Sequence, residues 1–197
     1  LMPAVALLVL EDGSVHLGAP FGAEGIAQGP ADFCVEMNGE YKALTDSDHA
    51  GKILVMTSPH VGISGFDSEA EPTRITATGL VIREGARPAS WTRRRELVEE
   101  LKDQGVVGIS GIDTRAVTRR LRANPSMRAF IVSGRALPAS AQVLVDRGVR
   151  RLSLDDAAAQ LFPQGVEETG ASPLFDRFLS HVTSRWAAIA DSEGRSL

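Results

Sequence analysis

The chain has 197 residues, 43% of them hydrophobic and 23% charged, which is the balance of a globular protein able to bury a core. Its formal net charge of −4 gives no general attraction to nucleic acid, so we expect no nucleic-acid partner. Cys34 is the only cysteine, which excludes an internal disulfide and a cysteine-based metal cluster. No two histidines have metal-ligand spacing either, and we expect neither a metal nor a cofactor.

The first predicted element is a strand over residues 5–10, which form an apolar run. No basic segment precedes this run, and it is too short to span a membrane before charge appears at Glu11 and Asp12. It therefore predicts the buried first strand of a cytoplasmic protein without a membrane partner, and the single cysteine fits a reducing compartment. The Asp-Gly pair that ends at Gly13 predicts a hairpin turn into a return strand.

Glycines recur over residues 18–29 and predict a loop-rich connection. Beyond it, alternating or continuous apolar residues predict five more strands, over residues 32–37, 52–57, 74–83, 106–110 and 128–132. The continuous apolar run within 52–57 is typical of a strand covered on both faces. Strands with helices between them indicate a mixed α and β domain that ends near Gly134.

Two helices are predicted between these strands. Thr92 can cap a helix that runs through Gln104, with Gly105 immediately after its end. Asp113 can cap a second helix, because its carboxylate can accept the first free backbone N–H groups. The pair Asn124-Pro125 stops that helix.

The composition changes after Gly134. Residues 135–141 are small and include a proline, which predicts a flexible connection. Ser172-Pro173 is a typical helix start, and it precedes apolar residues at helical spacing. These residues form one stripe: Leu174, Phe178, Leu179, Val182, Trp186 and Ile189. An exposed stripe of this kind would lose the stabilisation of burial, so we expect self-association through the terminal helix.

Six stretches, in order along the chain, carry a resemblance to a known family. They read ALLVLEDGSVHLGAPFGAEGIAQG, ALTDSDHAGKILVMTSPHVGISG, GLVIRE, ASW, GVVGISGIDTRAVTRRLR and SMRAFI. Together they resemble the N-terminal domain of the small, glutamine-handling subunit of carbamoyl-phosphate synthase. The resemblance implies a layered β/β/α domain over residues 1–134, followed by a partly helical C-terminal tail.

The tail, residues 135–197, resembles the two edges of the same family's glutaminase domain. QVLVDRGVRRLSL is similar to the first helix and second strand of that domain, and SPLFDRFLSHV is similar to its last helix. The family has its catalytic core between these two stretches, and this chain has only residues 155–171 there. The tail is therefore interpreted as a remnant in which the core is missing and its edges are joined.

This loss decides the predicted chemistry. A glutaminase of this type needs a cysteine on a tight glycine-rich turn, a histidine to activate it and an acid to orient the histidine. Cys34 lies in the strand-like stretch DFCVEM, without such a turn, and is interpreted as a structural cysteine. The stretch PQGVEETGASP contains no histidine, although Glu167 or Glu168 could be a relic of the acid. We therefore predict no catalytic residues.

Asp48 is the single candidate substrate-binding residue. It aligns with a serine that contacts bound glutamine in the family, and a carboxylate there would repel the α-carboxylate of glutamine. A second interpretation makes Asp46, Asp48 and His49 a polar cluster of an independent enzyme. Aspartates and serines at this spacing are more typical of a loop with Asx turns, and we favour that interpretation.

Further departures from the family occur on the side that would face the missing domain. MNGEYK, residues 37–42, replaces the family's MTGYQE, and Ile63 replaces an asparagine. His60 matches a family histidine, for which we expect a hydrogen-bonding role in a loop. His16 and His181 are interpreted as surface or interface side chains.

The resemblance implies a place in an enzyme that makes carbamoyl phosphate from glutamine, bicarbonate and ATP for arginine and pyrimidine synthesis. That enzyme is a ligase, and its ATP chemistry belongs to the large subunit. The hypothesis is a docking or structural part that binds the large subunit and has no glutaminase activity. The alternative is a truncated or decayed relative, or a non-catalytic binding module recruited elsewhere.

Overall fold

The computed structural model describes residues 4–36, 40–62, 66–67, 73–86, 94–166 and 172–194. The strands in chain order are β1 (Ala6–Leu10), β2 (Ser14–Pro20), β3 (Gly25–Cys34), β4 (Ile53–Met56), β5 (His60–Val61), β6 (Phe66–Asp67), β7 (Gly79–Val81), β8 (Glu84–Gly85), β9 (Arg94–Arg95), β10 (Val107–Ser110), β11 (Arg128–Ser133) and β12 (Arg151–Ser153). The helices are α1 (Glu40–Thr45), α2 (Leu97–Asp103), α3 (Thr114–Ala123), α4 (Ser140–Asp146), α5 (Leu154–Leu161) and α6 (Leu174–Ser192). This mixture confirms the predicted α and β class.

The main strands pair in the order β1-β11-β3-β4-β7-β10-β2-β12, and β1 also pairs with β2. The pairing therefore closes into a ring, because β2 and β3 are each long enough to change partners along their length. Residues Gly25–Pro30 of β3 run antiparallel to β11, and Ala31–Cys34 run parallel to β4. We call β1, β2, β3, β11 and β12 the first sheet, and β2, β3, β4, β7 and β10 the second sheet.

Glycine permits the close approach where β2 passes from the first sheet to the second. A Cβ atom on Gly18 would lie 2.1 Å from the carbonyl oxygen of Ser110 on β10. No side chain fits at that distance, so the pairing of β2 with β10 requires glycine here.

Three clusters of buried apolar residues follow from this arrangement. The inner core lies between the two sheets and includes Leu8 of β1, Val55 of β4 and Ile131 of β11, to which α3 adds Val117 and Leu121. A second cluster covers the other face of the second sheet and includes residues of α1 and α2. The third covers the other face of the first sheet and is built with the tail. The predicted layered arrangement is therefore present.

Most predicted strands are found, with one large difference. β3 begins at Gly25, inside the stretch predicted to be a loop, because glycines and Pro30 are tolerated where the strand exchanges β11 for β4. The strand predicted over 74–83 is shorter, at Gly79–Val81, and α1 was not predicted. The predicted caps of the central helices are confirmed for Asp113, whose carboxylate accepts from the backbone N–H of Ala116 at 3.0 Å. The helix predicted from Thr92 through Gln104 is shorter, because Arg94–Arg95 form β9 and Glu96 is the N-cap residue of α2; Thr92 itself lies outside the described residues.

The tail packs against the first sheet. Seven residues in or next to the strands of the first sheet, each at most 1% exposed, share one hydrophobic cluster with the tail: Val5, Leu7, Val9, Val15, Leu17, Phe130 and Val132. From the tail, α6 adds Phe175, Phe178 and Val182, α5 adds Leu161, and α4 adds Leu144. Packing is thus continuous across residue 134. Of the apolar stripe that motivated self-association, Phe178 and Val182 are buried in this cluster, and Leu174, Leu179 and Trp186 are partly buried against it. Packing on the chain's own sheet therefore covers much of the surface on which that expectation depends.

Two arginines attach α6 at its ends. Arg128 on β11 donates to both carboxylate oxygens of Asp176, at 2.9 and 3.2 Å. Arg135 pairs with Glu24 at 3.0 Å and with Glu193 after the end of α6. Residues 135–141 were predicted to be a flexible connection, and this expectation is wrong for the described chain, since Leu137 and Ala141 are buried. Burial of these two side chains and the charge-assisted contacts of Arg135 hold residues 135–141 against the domain.

Candidate functional site

The loop around Asp48 is the site that the sequence predicted. Asp48 is exposed in a short 3₁₀ turn over Ser47–His49. Its backbone N–H donates to the carboxylate of Asp46 at 2.9 Å, which confirms the predicted Asx turn. His49 contacts the carbonyl oxygen of Ala43 through Nδ1 at 2.8 Å. The aspartate and histidine side chains therefore organise the loop, and nothing in it positions a nucleophile.

His60 lies at the start of β5 and is largely exposed. Its Nδ1 is 3.5 Å from the carboxylate of Glu84 on the paired strand β8. The carbonyl oxygen of His60 accepts a hydrogen bond from the hydroxyl of Ser58 at 3.0 Å, in agreement with the predicted hydrogen-bonding role in a loop. The exposed contact between the imidazole and Glu84 contributes little to stability.

Cys34 ends β3 and is buried, which confirms the structural interpretation. Its carbonyl oxygen accepts hydrogen bonds from the backbone N–H and the hydroxyl of Thr57, at 3.0 and 3.1 Å. The side chain belongs to an apolar cluster that includes Leu44 and Met56. A thiol among apolar groups on a strand has none of the features that activate a nucleophile. Glu167, Glu168 and Ile63 lie outside the described residues.

His16 was predicted to lie at the surface or an interface, and the structure corrects this. The residue is 3% exposed, and its Nε2 has no hydrogen-bond partner among the described residues. Side chains alternate along β2, and Val15 and Leu17 face the tail. His16 therefore points to the other face of the sheet, where its partner on β1 is Leu8. The pattern of β2 shows this alternation, but the packing of other elements against both faces of β2 is not visible in it.

Burial, together with the positive charges of Arg120 and Arg151, lowers the pKa of His16 from 6.5 to about 4. Asp12 and Asp113 oppose this shift. The imidazole is therefore neutral near neutral pH, in surroundings whose positive charges outweigh the negative ones. It lines a cavity of about 320 Å³ between α3 and β12. The other lining residues are Leu17, Gly111, Ile112, Asp113, Ala116, Arg150 and Arg151.

The shifted pKa predicts how stability depends on pH. The unfolded chain binds a proton at His16 below pH 6.5, whereas the folded chain resists protonation until about pH 4. This contribution to stability is complete above pH 6.5 and is lost as the pH falls toward 4. The shift corresponds to about 3 kcal/mol of unfolding free energy. Urea unfolding of the full chain between these pH values should show the loss.

A non-titrating variant provides the comparison. His16→Gln should remove most of the decrease between pH 6.5 and 4, while His60→Gln, at an exposed position, should retain it. An equal pH slope in all three proteins would show that other groups cause the decrease.

Comparison with known proteins adds a sequence relationship to this geometry. A family model described as carbamoyl-phosphate synthase small chain, CPSase domain, matches residues 8–131. The carbamoyl phosphate synthase small chain of Streptomyces avermitilis is 49% identical over 143 residues, which cover 72% of this chain and 38% of the relative. The small chain of Streptomyces coelicolor is 45% identical, with 79% and 42% covered, and that of Mycobacterium tuberculosis is 43% identical, with 71% and 38% covered.

The match therefore spans about two fifths of the length of these curated relatives. Among solved structures, an aminopeptidase from Aneurinibacillus sp. strain AM-1 aligns with a TM-score of 0.41 and 14% identity, covering 67% of this chain and 31% of that protein. A likeness of that size supports no inference. In the part of the chain that the structure describes, no helix has both the length and the apolar character to cross a membrane.

Proposed function

We propose, from the premise that the chain belongs to the carbamoyl-phosphate synthase small-chain family, that it is a docking or structural component of that synthase. In this proposal the chain binds the large subunit and releases no ammonia from glutamine. The matched residues 8–131 include the second sheet, α3 and most of the first sheet and of the inner core, whereas β12 lies outside them. A complete sheet ring provides the rigid surface that a docking component needs.

One observation carries the second half of the proposal. Cys34, the only cysteine of the chain, is 8% exposed at the end of a strand and packs among apolar side chains. A thiolate nucleophile needs an accessible position and a nearby base or positive charge. The place of Cys34 in the second sheet provides neither of these, so glutamine hydrolysis through this residue is not expected.

Packing of the tail supports the same proposal. In the described chain α6 lies directly against β1 and β11, so its apolar side chains already have a partner. The aligned helix of the family belongs to the glutaminase domain, and we propose that here it instead completes the first sheet. The chain would then present a finished small domain to a large subunit.

We assign no glutamine contact to Asp48. Its carboxylate is exposed and would meet the glutamine carboxylate unfavourably, and the Asx turn accounts for the local arrangement of the loop. A serine that binds glutamine at this position in a relative would not be needed here, because we propose that this chain does not hydrolyse glutamine.

The test is reconstitution of the full chain with a carbamoyl-phosphate synthase large subunit from the same source. Co-purification should give a stable complex because the matched domain retains its sheets and core. In that complex, ammonia should support carbamoyl phosphate formation and glutamine should not, since no activated cysteine is available. Complex formation is measured by analytical ultracentrifugation, and carbamoyl phosphate by a coupled assay.

The two halves of the proposal can fail separately. Absence of a complex at micromolar concentration would contradict docking and favour a recruited or decayed module. Glutamine-dependent synthesis that disappears in Cys34→Ser would contradict the loss of glutaminase activity. Val143→Ala, at an exposed position on α4, is the matched control for surface substitution.

A further inference from the structure

The cavity between α3 and β12 contains a buried polar atom without a partner. His16 is 3% exposed and lines the cavity, and its Nε2 makes no hydrogen bond within the described residues. A buried polar nitrogen that forms no hydrogen bond is destabilising, because its hydration is lost without replacement. Such a group calls for an occupant that can donate to it or accept from it.

The charged side chains around this imidazole differ in whether they already have a partner. Asp12 pairs with Arg120 at 2.7 Å, and the carboxylate of Asp113 accepts from the first turn of α3. The guanidinium of Arg151, by contrast, has neither an ion pair nor a hydrogen bond within the described ranges, although the strand partner of this residue is His16. The two carboxylates are therefore occupied, and one guanidinium beside the cavity is available.

Two further features favour negative charge in the same place. Arg150 also lines the cavity, and its guanidinium contacts only the carbonyl oxygen of Val149, at 3.4 Å. The N-terminus of α3 borders the cavity through Asp113 and Ala116 and presents the positive end of the helix dipole. Counting the five charged groups gives three arginines against two aspartates, a net charge of +1.

We propose that this cavity binds the oxyanion group of a small molecule, either a carboxylate or a phosphate. Arg151 supplies the charge-assisted contact, the start of α3 adds its dipole, and His16 hydrogen-bonds to the ligand. A volume of about 320 Å³ is at the lower end of the range for small-molecule sites. The site does not depend on the proposed docking function.

The site combines both parts of the chain. His16 and α3 lie within the matched residues 8–131, whereas Arg150 and Arg151 belong to the tail. Pairing of β12 with β2 is what places Arg151 opposite His16. Ligand binding would therefore stabilise the attachment of the tail to the first sheet, since it adds contacts to both.

Titration of the full chain with inorganic phosphate and, separately, acetate tests the proposal at constant ionic strength. The readout is the ring ¹⁵N–¹H spectrum, in which His16 is the signal absent from His16→Gln. Saturable movement of this signal is expected with at least one anion. Arg151→Gln should weaken binding about tenfold, as expected for loss of a charge-assisted hydrogen bond. Arg147→Gln, exposed at the end of α4 and outside the cavity lining, should bind as the parent does.

The outcomes separate the ligand classes. Saturation by phosphate alone assigns a phosphate-bearing ligand, and saturation by acetate alone assigns a carboxylate. Saturation by both assigns oxyanion recognition without selectivity. No movement of the His16 signal with either anion overturns the proposal, as does an identical response of Arg151→Gln and the parent.

Discussion

A chain that ends at Gly134 should fail to fold cooperatively. The matched domain resembles an independent unit, and its boundary near Gly134 would predict that residues 1–134 fold alone. The structure gives the opposite expectation, because the tail covers a complete face of the first sheet. Seven residues in or next to its strands are at most 1% exposed, and they share one hydrophobic cluster with residues of the tail.

The size of the effect follows from this buried face. Full burial of one large apolar side chain contributes about 1.5–3 kcal/mol, so exposing this face would cost roughly 10–20 kcal/mol. A typical domain has a total stability of about 5–15 kcal/mol. The free energy lost on removal of the tail is therefore expected to exceed the stability that the remaining core provides. Circular dichroism of the shortened chain should show no cooperative thermal transition, and this chain should bind a dye that recognises exposed apolar surface.

Adding back the missing part is the control. A separately produced peptide of residues 135–197 should restore a cooperative transition when mixed with the shortened chain, because the contacts are non-covalent. If the shortened chain melts cooperatively with a native near-ultraviolet spectrum, the tail is dispensable and the boundary at Gly134 is a true domain boundary.

The sequence predicted the elements whose signals are local. The cap at Asp113, the Asx turn at Asp46 and the start of α6 each depend on residues within one turn of one another. β3 was predicted poorly because its glycines and proline are typical of loops. They are tolerated here because β3 changes its partner from β11 to β4 along its length. No local sequence pattern indicates such a change.

The candidate site was harder to predict, since its residues are distant in the chain. The pairing of Arg151 with His16 joins a position beyond the end of the matched domain to one near its start. Helical spacing gave most of the apolar stripe of α6, without the buried Phe175, and it could not give the surface that the stripe contacts. For that reason self-association was expected, although the partner surface is the chain's own first sheet.

Phe178 is the central contact of that surface. The side chain is fully buried, with its ring centroid 5.9 Å from Phe130 of β11 and 5.5 Å from Phe162, which follows α5. Phe130 also contacts Phe175 at 5.1 Å, a residue of α6 that the predicted stripe omitted. These tilted and edge-on geometries are favourable for aromatic rings. Four aromatic side chains thus join α6 and the end of α5 to the sheet.

Phe178→Ala should therefore destabilise the chain by about 3–5 kcal/mol, through lost burial and the cavity left among three rings. Val143→Ala, at a position 47% exposed on α4, should change stability by less than about 0.5 kcal/mol. Urea midpoints measured at one pH above 6.5 give both values without protonation of His16. Equal midpoints for Phe178→Ala and the parent would mean that α6 is not packed on the first sheet in solution. A midpoint that depends on protein concentration would instead indicate self-association.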